Sequence, residues 1–203
     1  MAGNPLINNI PPDTGREYKE DGTVINTADL LYNAVDKSGG IRSITEFQNA
    51  VHSGYAFSFT NHGTMLAGAS ISFLGITGAL QVHFDGLEIA ISQGAVLLEF
   101  YEAPTITSNG TVMNMRRRNR ANPNRPTINV YSNPTITANG TLLEDELFPQ
   151  IGNGANVLSG NVGLDEGWVL SSNTSYLIKL TNQAATTTTY NVKFAWHEAP
   201  YIV

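Results

Sequence analysis

The sequence feature that most constrains the fold is an alternation of apolar and polar residues with a period of two. It is clearest in "YNVKFAWH" (190–197), where Tyr, Val, Phe and Trp alternate with Asn, Lys, Ala and His. The same period recurs in "VHF" (82–84), "LEIAI" (87–91), "VLLEF" (96–100) and "YLIKL" (176–180). Such runs place one face of a strand in a core. Short strands separated by Gly, Asn and Asp turns predict an all-β, antiparallel, jelly-roll-like β-sandwich over residues 54–203.

The first 53 residues have a different pattern, which predicts an extended N-terminal arm with one or two short helices. Pro5, Pro11 and Pro12 block helix formation at the start of the chain, and few apolar residues lie nearby to form a core. An apolar face then predicts a short helix at about 27–36. "SITE" (43–46) matches a capping box and predicts a helical turn at about 44–51.

One phrase occurs twice in the chain, thirty residues apart. "YEAPTITSNGTVM" (101–113) and "YSNPTITANGTLL" (131–143) agree at eight of thirteen positions. Each copy contains Asn-Gly, the pair preferred in two-residue type I′ turns, at Asn109-Gly110 and Asn139-Gly140. The repeat therefore predicts two equivalent hairpins, at 104–111 and 134–141. They either close the sheets of the sandwich or carry contacts to other subunits.

Opposite charges follow the two copies. Five arginines follow the first copy: Arg116, Arg117, Arg118, Arg120 and Arg125. Three acids follow the second copy: Glu144, Asp145 and Glu146. In the register of the repeat, Arg116 is equivalent to Glu146. The charges either belong to solvated loops or form a charge match, between subunits or with a larger acidic partner, and arginine suits fixed ion pairs better than lysine does.

The overall charge argues against nucleic acid as a partner. The net charge is −6, and outside the arginine cluster the chain has 6 basic and 17 acidic residues. The chain has no cysteine, which excludes disulfides and thiolate metal sites. It also lacks a run of 18 apolar residues and a signal-peptide pattern at its start, so we expect no membrane partner and no export signal.

No catalytic or cofactor-binding constellation is recognisable in the sequence. His83 has Asp85 nearby, but the four histidines lack metal-ligand spacing, so we expect no metal and no cofactor. Carboxylate pairs such as Glu99 and Glu102, or Asp165 and Glu166, are not specific to glycoside hydrolysis. Trp196 alternates with apolar residues and is expected in the core, while Trp168 is expected to pack against a loop. The sequence predicts a non-enzymatic protein, with a carbohydrate-active enzyme as an alternative.

Several phrases resemble structural proteins of tailed-bacteriophage heads. "GREYKEDGTVINTADLLYNAV" (15–35) resembles the N-terminal arm and short helix of that group. "EFYEAPTITSNGT", "RRRNRANPNRP", "GTLL", "GWVLSSNTSYLIKLTN" and "VKFAWHE" resemble the rest of it, so the resemblance spans most of the chain. Some phage cement, or decoration, proteins have jelly-roll folds and bind the outer capsid surface as dimers or trimers.

The resemblance implies a capsid decoration protein that stabilises the head shell. Its location would be the virion head surface, after synthesis in the cytoplasm of the bacterial host. Its partners would be the major capsid protein of the same phage and further copies of itself, as a homodimer or homotrimer. Residues 2–35, with Arg16, Tyr18, Leu30 and Leu31, would anchor it to the shell. The alternative is a tail fibre or another receptor- or glycan-binding virion component.

Overall fold

The protein is described by a computed structural model that covers residues 33–35, 41–43, 46–148, 158–161 and 167–199. For residues 33–35, 41–43, 158–161 and 199 the description is limited to the backbone. The chain divides into two compact units, Met1–Gln48 and Asn49–Val203, close to the predicted boundary between residues 53 and 54. No helix in the described ranges is long and apolar enough to cross a membrane.

The first unit contains a pair of antiparallel strands, β1 (Asn33–Val35) and β2 (Ile41–Ser43). The helix predicted at about 27–36 is therefore wrong for residues 33–35, and its other residues lie outside the described ranges. Its apolar face extended over only two or three turns, and isolated helices of that length are marginal. Val35 lies opposite Ile41 in the ladder, and such β-branched residues favour strands.

The short helix α1 (Glu46–Ser53) begins two residues after the predicted start of the helical turn at about 44–51. The helix ends at Ser53, and the next residue, Gly54, has a φ of +83°, which is typical of the residue that terminates a helix. Asn119 donates to the carbonyl of His52 (2.9 Å), and Asn122 donates to that of Ser53 (3.1 Å). Two asparagines of the arginine-rich segment thus satisfy carbonyls that a helix end leaves without partners.

The second unit contains two antiparallel sheets and a smaller ribbon. In sheet one the order is β13 (Leu158–Asn161), β5 (Gln81–Ile91), β16 (Thr188–Ala199), β3 (Ala56–Met65) and β9 (Arg116–Arg117), with β14 (Trp168–Leu170) also beside β5. In sheet two it is β12 (Thr141–Phe148), β6 (Val96–Glu102), β15 (Ser175–Asn182), β4 (Ser70–Ile76), β10 (Asn129–Ser132) and β8 (Thr111–Val112). The ribbon consists of β7 (Thr105–Ser108) and β11 (Thr135–Ala138).

The connectivity of the main strands is that of a jelly roll. In chain order these are β3, β4, β5, β6, β12, the combined β13 and β14, β15 and β16. The first of these strands pairs with the last, β3 with β16, and the pairing continues inward: β4 with β15, β5 with the combined β13 and β14, and β6 with β12. This is the winding of a double-sheet jelly roll. The predicted all-β, antiparallel, jelly-roll-like sandwich is confirmed.

Aromatic side chains from the inner faces hold the two sheets together. Phe59 of β3 stacks on Phe194 of β16, with ring centroids 4.4 Å apart, and reaches Phe73 of β4 across the sandwich at 5.7 Å. At the other side, Phe84 of β5 lies 6.3 Å from Phe100 of β6. These residues belong to one buried cluster that also includes Trp196, as the alternation predicted.

A carboxylate is buried within the same sandwich. Glu198 of β16 is 1% exposed, and its side chain accepts hydrogen bonds from the backbone N–H groups of Thr127 (2.8 Å) and Ile128 (3.2 Å). The indole N–H of Trp196 approaches it at 3.4 Å. Because buried backbone N–H groups need acceptors, Glu198 ties the segment before β10 to the last strand.

Gly75 offers a stabilising substitution beside a small void in the core. An apolar void of about 40 Å³ lies between the sheets, and Gly75 and Ile128 both border it. A Cβ added at Gly75 would lie 3.3 Å from the terminal methyl of Ile128, which can move into the void. We expect Gly75→Ala to raise the free energy of unfolding by about 0.5–1 kcal/mol, measured by urea denaturation.

Gly86→Ala is the matched control, because nothing lies within 4 Å of a Cβ at Gly86. It reports the backbone effect of the substitution without any filling of the void. A Gly75→Ala protein less stable than the wild type would contradict the expectation.

Candidate functional site

The two copies of the repeat pair with each other and do not form two separate hairpins. In the ribbon, β7 of the first copy runs antiparallel to β11 of the second, with Thr105 opposite Ala138 and Ser108 opposite Thr135. The predicted hairpins at 104–111 and 134–141 are therefore wrong. Asn-Gly favours a tight turn locally, but each copy finds in the other a partner of nearly identical sequence.

The same exchange continues into sheet two, where it creates a local two-fold pseudosymmetry. At the end of the first copy β8 pairs with β10, so that Val112 lies opposite Tyr131. At the end of the second copy β12 begins and pairs with β6, so that Leu142 lies opposite Tyr101. These partners are related by the thirty-residue offset of the repeat.

Two central strands of sheet two obey the same pseudosymmetry. The amide of Ala103 donates to the carbonyl of Ser175 (2.8 Å), and the equivalent amide of Asn133 donates to Ser72 (2.9 Å). Ser175 begins "SYL" (175–177) in β15, and Ser72 begins "SFL" (72–74) in β4. The pseudosymmetry axis therefore passes between β4 and β15, and the fold extends a repeat that the sequence shows only over thirteen residues.

The Asn-Gly glycines are required by close backbone contacts between the copies. Gly110 and Gly140 have φ values of +87° and +92°. A Cβ at Gly110 would lie 2.3 Å from the carbonyl oxygen of Ser132, and one at Gly140 would lie 2.2 Å from that of Glu102. The glycines thus serve the internal pairing. An interface role for Gly110, Gly140, Asn109 and Asn139 stays a prediction.

An apolar row crosses the outer face of sheet two. Its members, in spatial order, are Leu142, Tyr101, Leu177, Leu74, Tyr131 and Val112. The central Leu177 and Leu74 are fully buried although they lie on the outer face, whereas Leu142 and Val112 at the ends are 49% and 66% exposed. The chain leaves this row at Tyr101 and Tyr131 to form the ribbon. We attribute the burial of the centre to the ribbon, which leaves an apolar residue exposed on each flank.

The pseudosymmetry ends where the charges begin. After Val112 the chain crosses to sheet one, and Arg116 and Arg117 form β9 beside β3. After Leu142 it continues along β6 to Phe148 as β12. The second copy is followed by "LEDELF", which can extend a strand, whereas the first is followed by a stretch rich in Asn with two prolines, which cannot.

These two segments lie on opposite margins of the sandwich. The margin formed by β3 and β9 lies over β4, as the contact of Phe59 with Phe73 shows. The margin formed by β5 and β14 lies over β6 and β12. There Trp168 of β14 contacts Phe100 at 5.6 Å, and its indole N–H donates to Glu144 at 3.1 Å. One copy of the chain therefore does not bring Arg116 near Glu146.

We call the first of these sides the arginine margin. Arg116, Arg118, Arg120 and Arg125 are exposed, while Arg117 is half-buried and donates to the backbone carbonyl of Asn122 at 2.8 Å. An open cleft of about 430 Å³ lies here. Its walls combine apolar and cationic groups, chiefly Met113, Met115, Arg117 and Arg125.

We call the opposite side the acidic margin. It carries Glu144, which holds Trp168, the exposed Asp145 and the half-buried Glu146. Two apolar side chains are exposed at this margin. Leu147 of β12 (57%) shares the outer face of sheet two with Asp145, whereas Val169 of β14 (50%) lies opposite His83 on the outer face of sheet one. Among the described strands, β12 has β6 as its one ladder partner, so the other side of β12 is an open edge there. Sequence reasoning found the acids of this margin but missed its apolar residues.

Two of the four histidines, His83 and His197, contact each other within the fold. The Nδ1 atom of the buried His197 lies 2.8 Å from Asp85, and its ring stacks on His83 with centroids 4.6 Å apart. Trp168, expected against a loop, packs instead against Phe100 of the core. The sequence could not show that Asp85 pairs with a residue 112 positions away.

The candidate carboxylates at Glu99 and Glu102 each bind a tyrosine. Tyr101 donates to Glu99, which also forms an ion pair with Lys179 at 3.4 Å, and Tyr176 donates to Glu102 at 2.9 Å. Burial raises the pKa of both tyrosines, and the neighbouring carboxylates raise it further. Asp165 and Glu166 lie outside the described residues. So do four of the predicted interface residues: Arg16, Tyr18, Leu30 and Leu31.

Comparisons with known proteins identify no family. No protein-family model matches the sequence, and no curated protein matches it. Among solved structures, the VP2 subviral particle of infectious bursal disease virus is similar at 11% identity with a TM-score of 0.20, over 83% of this chain and 46% of that chain. The structure of the Gt strain of the same virus is similar at 12% identity with a TM-score of 0.19, over 95% of this chain and 50% of that chain. The chain thus spans about half the length of these proteins, and scores of this size carry no argument.

Proposed function

We propose that this chain is a virion structural protein of a tailed bacteriophage, and specifically a decoration protein that binds the outer surface of the head shell and stabilises it. The proposal includes no catalysis and no cofactor. Its partners are the major capsid protein of the same phage and further copies of the chain, with neither nucleic acid nor membrane involved. It acts at the virion head surface, after synthesis in the host cytoplasm.

The surface of the sandwich is the observation that supports this proposal. Within residues 46–148 and 167–198, five large apolar side chains are exposed: Leu66, Val112, Leu142, Leu147 and Val169. Opposite charges lie on opposite margins, and the ribbon carries no charged residue. Such a surface suits contact with other protein molecules. Jelly rolls recur in viral capsid proteins, in lectins and in cupins, so the fold permits the role without selecting it.

The glycan-binding alternative would use exposed aromatic rings. Within residues 46–148 and 167–198, every Phe, Tyr and Trp side chain is buried or half-buried. Trp196 lies in the core, and Trp168 contacts it. This part of the chain therefore offers no open aromatic platform for a sugar ring, which favours the shell over the tail.

Stabilisation of a shell follows from binding many weak sites at once. A protein that binds the assembled shell, and not its separated subunits, stabilises the shell by mass action. Many copies on one particle add their contributions, and contacts with neighbouring copies raise the effective concentration at each site. Small individual contacts are sufficient under these conditions.

The predicted anchor is tested by deleting residues 2–35. We expect binding to purified heads to fall at least tenfold, measured by co-sedimentation, because the arm carries the shell contacts. The far-ultraviolet circular dichroism and melting temperature of the sandwich should change little, since the deletion lies in the first compact unit.

The matched control changes the ribbon of β7 and β11 and leaves the arm intact. Thr107→Ala combined with Thr137→Ala alters two exposed side chains at pseudo-equivalent positions. If the protein without residues 2–35 binds fully and the ribbon variant does not bind, the ribbon and not the arm carries the shell contacts. Cryo-electron microscopy of the virion tests the function itself. Density for this chain on the tail, and none on the head, would refute the decoration role.

A further inference from the structure

We propose that copies of this chain associate head to tail, the acidic margin of one copy docking into the cleft of the arginine margin of the next. The occupant of the cleft is thus the edge strand β12 of a second copy. This self-association does not rest on the shell-binding role, because purified protein in solution can show it.

The first argument is the position of the two surfaces. The arginine margin is formed at the end of sheet one beyond β3, and the acidic margin at the end of sheet two beyond β6. Arg116 and Asp145 are therefore too far apart to pair within one molecule. Because the arginine margin and the acidic margin lie on opposite sides of one protomer, they can contact each other only between two protomers.

The second argument is charge. Arg116 and Arg125 are exposed and form no ion pair with any residue of the described ranges. Asp145 is likewise exposed without an ion pair there. The exposed cations of one copy can therefore pair with an exposed carboxylate on β12 of the next copy.

The third argument is the match of apolar groups. Leu147 is 57% exposed on β12, on the same face of the strand as Asp145. The cleft of about 430 Å³ on the other margin combines Met113 and Met115 with Arg117 and Arg125. Methionine adapts its shape to an inserted side chain, and arginine can pair with carboxylates around it.

The symmetry of the contact follows from this arrangement. In an isologous dimer the same surface of both protomers meets, so the arginine margin would face the arginine margin of the partner, or the acidic margin would face the acidic margin. A heterologous contact pairs unlike margins, and it generates rings if the rotation closes and chains if it does not. The proposal therefore favours a ring, such as the homotrimer, over the two-fold homodimer.

Two double variants disable one margin each without touching an internal hydrogen bond of the described residues. Arg116→Ser with Arg125→Ser removes exposed cations and keeps Arg117, which binds Asn122. Asp145→Asn with Leu147→Ser removes an exposed acid and an exposed apolar side chain and keeps Glu144, which holds Trp168. Sedimentation velocity over a concentration series, at about 0.05 and 0.5 M NaCl, measures the association.

We expect the full-length wild-type protein to associate, with a dissociation constant at least fivefold higher in the stronger salt because exposed pairs are screened. Each double variant alone should weaken association at least tenfold. An equimolar mixture of the two should form heterodimers and nothing larger, because one intact acidic margin meets one intact arginine margin.

Lys193→Ser is the control for the arginine variant, and Glu88→Gln is the control for the acidic variant. Each removes a charge of the same sign as the variant it matches, but from the outer face of sheet one. Both should associate as the wild type does. A monomeric wild-type protein at about 0.2 mM, or a mixture that stays monomeric, would overturn the proposal. So would association that either double variant leaves intact. Near-ultraviolet circular dichroism establishes that each variant is folded.

Discussion

Replacing Glu198 by Ala should lower the free energy of unfolding by about 3–5 kcal/mol, one of the two largest effects of a single substitution that we expect in this protein. The change leaves the backbone N–H groups of Thr127 and Ile128 without their acceptor. Each buried unsatisfied group costs about 1–3 kcal/mol, and hydrogen bonds to a charged acceptor are among the stronger ones. Removing the side chain also leaves a space beside Trp196.

Urea denaturation followed by tryptophan fluorescence measures this loss directly, because Trp196 lies in the core beside the altered site. Glu88→Ala is the matched control. Its carboxylate is exposed and pairs with Lys193, and such surface pairs contribute only about 0–1 kcal/mol. Similar losses in the two variants would show that the contacts of Glu198 with the backbone contribute little.

Gly140→Ala should destabilise the protein by about 3 kcal/mol or more, and Gly110→Ala should do so by a comparable amount. Both residues have positive φ, which costs a residue with a Cβ about 1–2 kcal/mol. At both positions the Cβ would in addition collide with a carbonyl oxygen of the other repeat copy. That oxygen belongs to a backbone held in sheet two, so it cannot move aside cheaply.

Gly68→Ala separates these two contributions. Its φ is +68°, but nothing lies within 4 Å of the added Cβ, so this variant reports the conformational cost alone. Thermal or urea unfolding of the three variants gives the comparison. Losses at Gly140 and Gly110 no greater than the loss at Gly68 would contradict the close packing of the two copies.

The period-two pattern was sufficient to predict the fold class, because it depends on burial that each strand experiences in the same way. "YNVKFAWH" lies in β16, and its Val192, Phe194 and Trp196 are buried as the alternation required. The pattern carries no information about which strands are neighbours. The jelly-roll winding depends on pairings between distant segments, such as β3 with β16, that no local signal encodes.

The repeat shows where local reasoning failed. Asn-Gly has a strong preference for a tight turn, and each copy examined alone predicts a hairpin. The alternative partner lies thirty residues away, and its ladder satisfies backbone groups of both copies. We attribute the burial of Leu74 and Leu177 to the same ribbon. Tertiary packing therefore outweighed the turn preference. The near-identity of the two copies in the sequence is the signal that could have raised this possibility, because each copy can serve as the strand partner of the other.

The sequence predicted which charged residues form the arginine margin and the acidic margin, but not where these residues lie in the fold. The arginines and acids were recognisable from the sequence, but their placement on opposite margins follows from the path of the chain after each copy. The asparagines among the arginines proved to serve α1, since Asn119 and Asn122 bind carbonyls at its end. Such contacts join residues about seventy positions apart, so spacing along the chain could not reveal them.

The cross-paired repeat also makes the route to the native state depend on protein concentration. Until both copies of one chain have been made and have met, each exposes a strand whose natural partner is a nearly identical segment. A neighbouring molecule presents that same segment, with the same backbone groups and the same threonines. Exchange of strands between nascent chains therefore competes with closure within one chain, and the competition grows as the concentration of nascent chains rises.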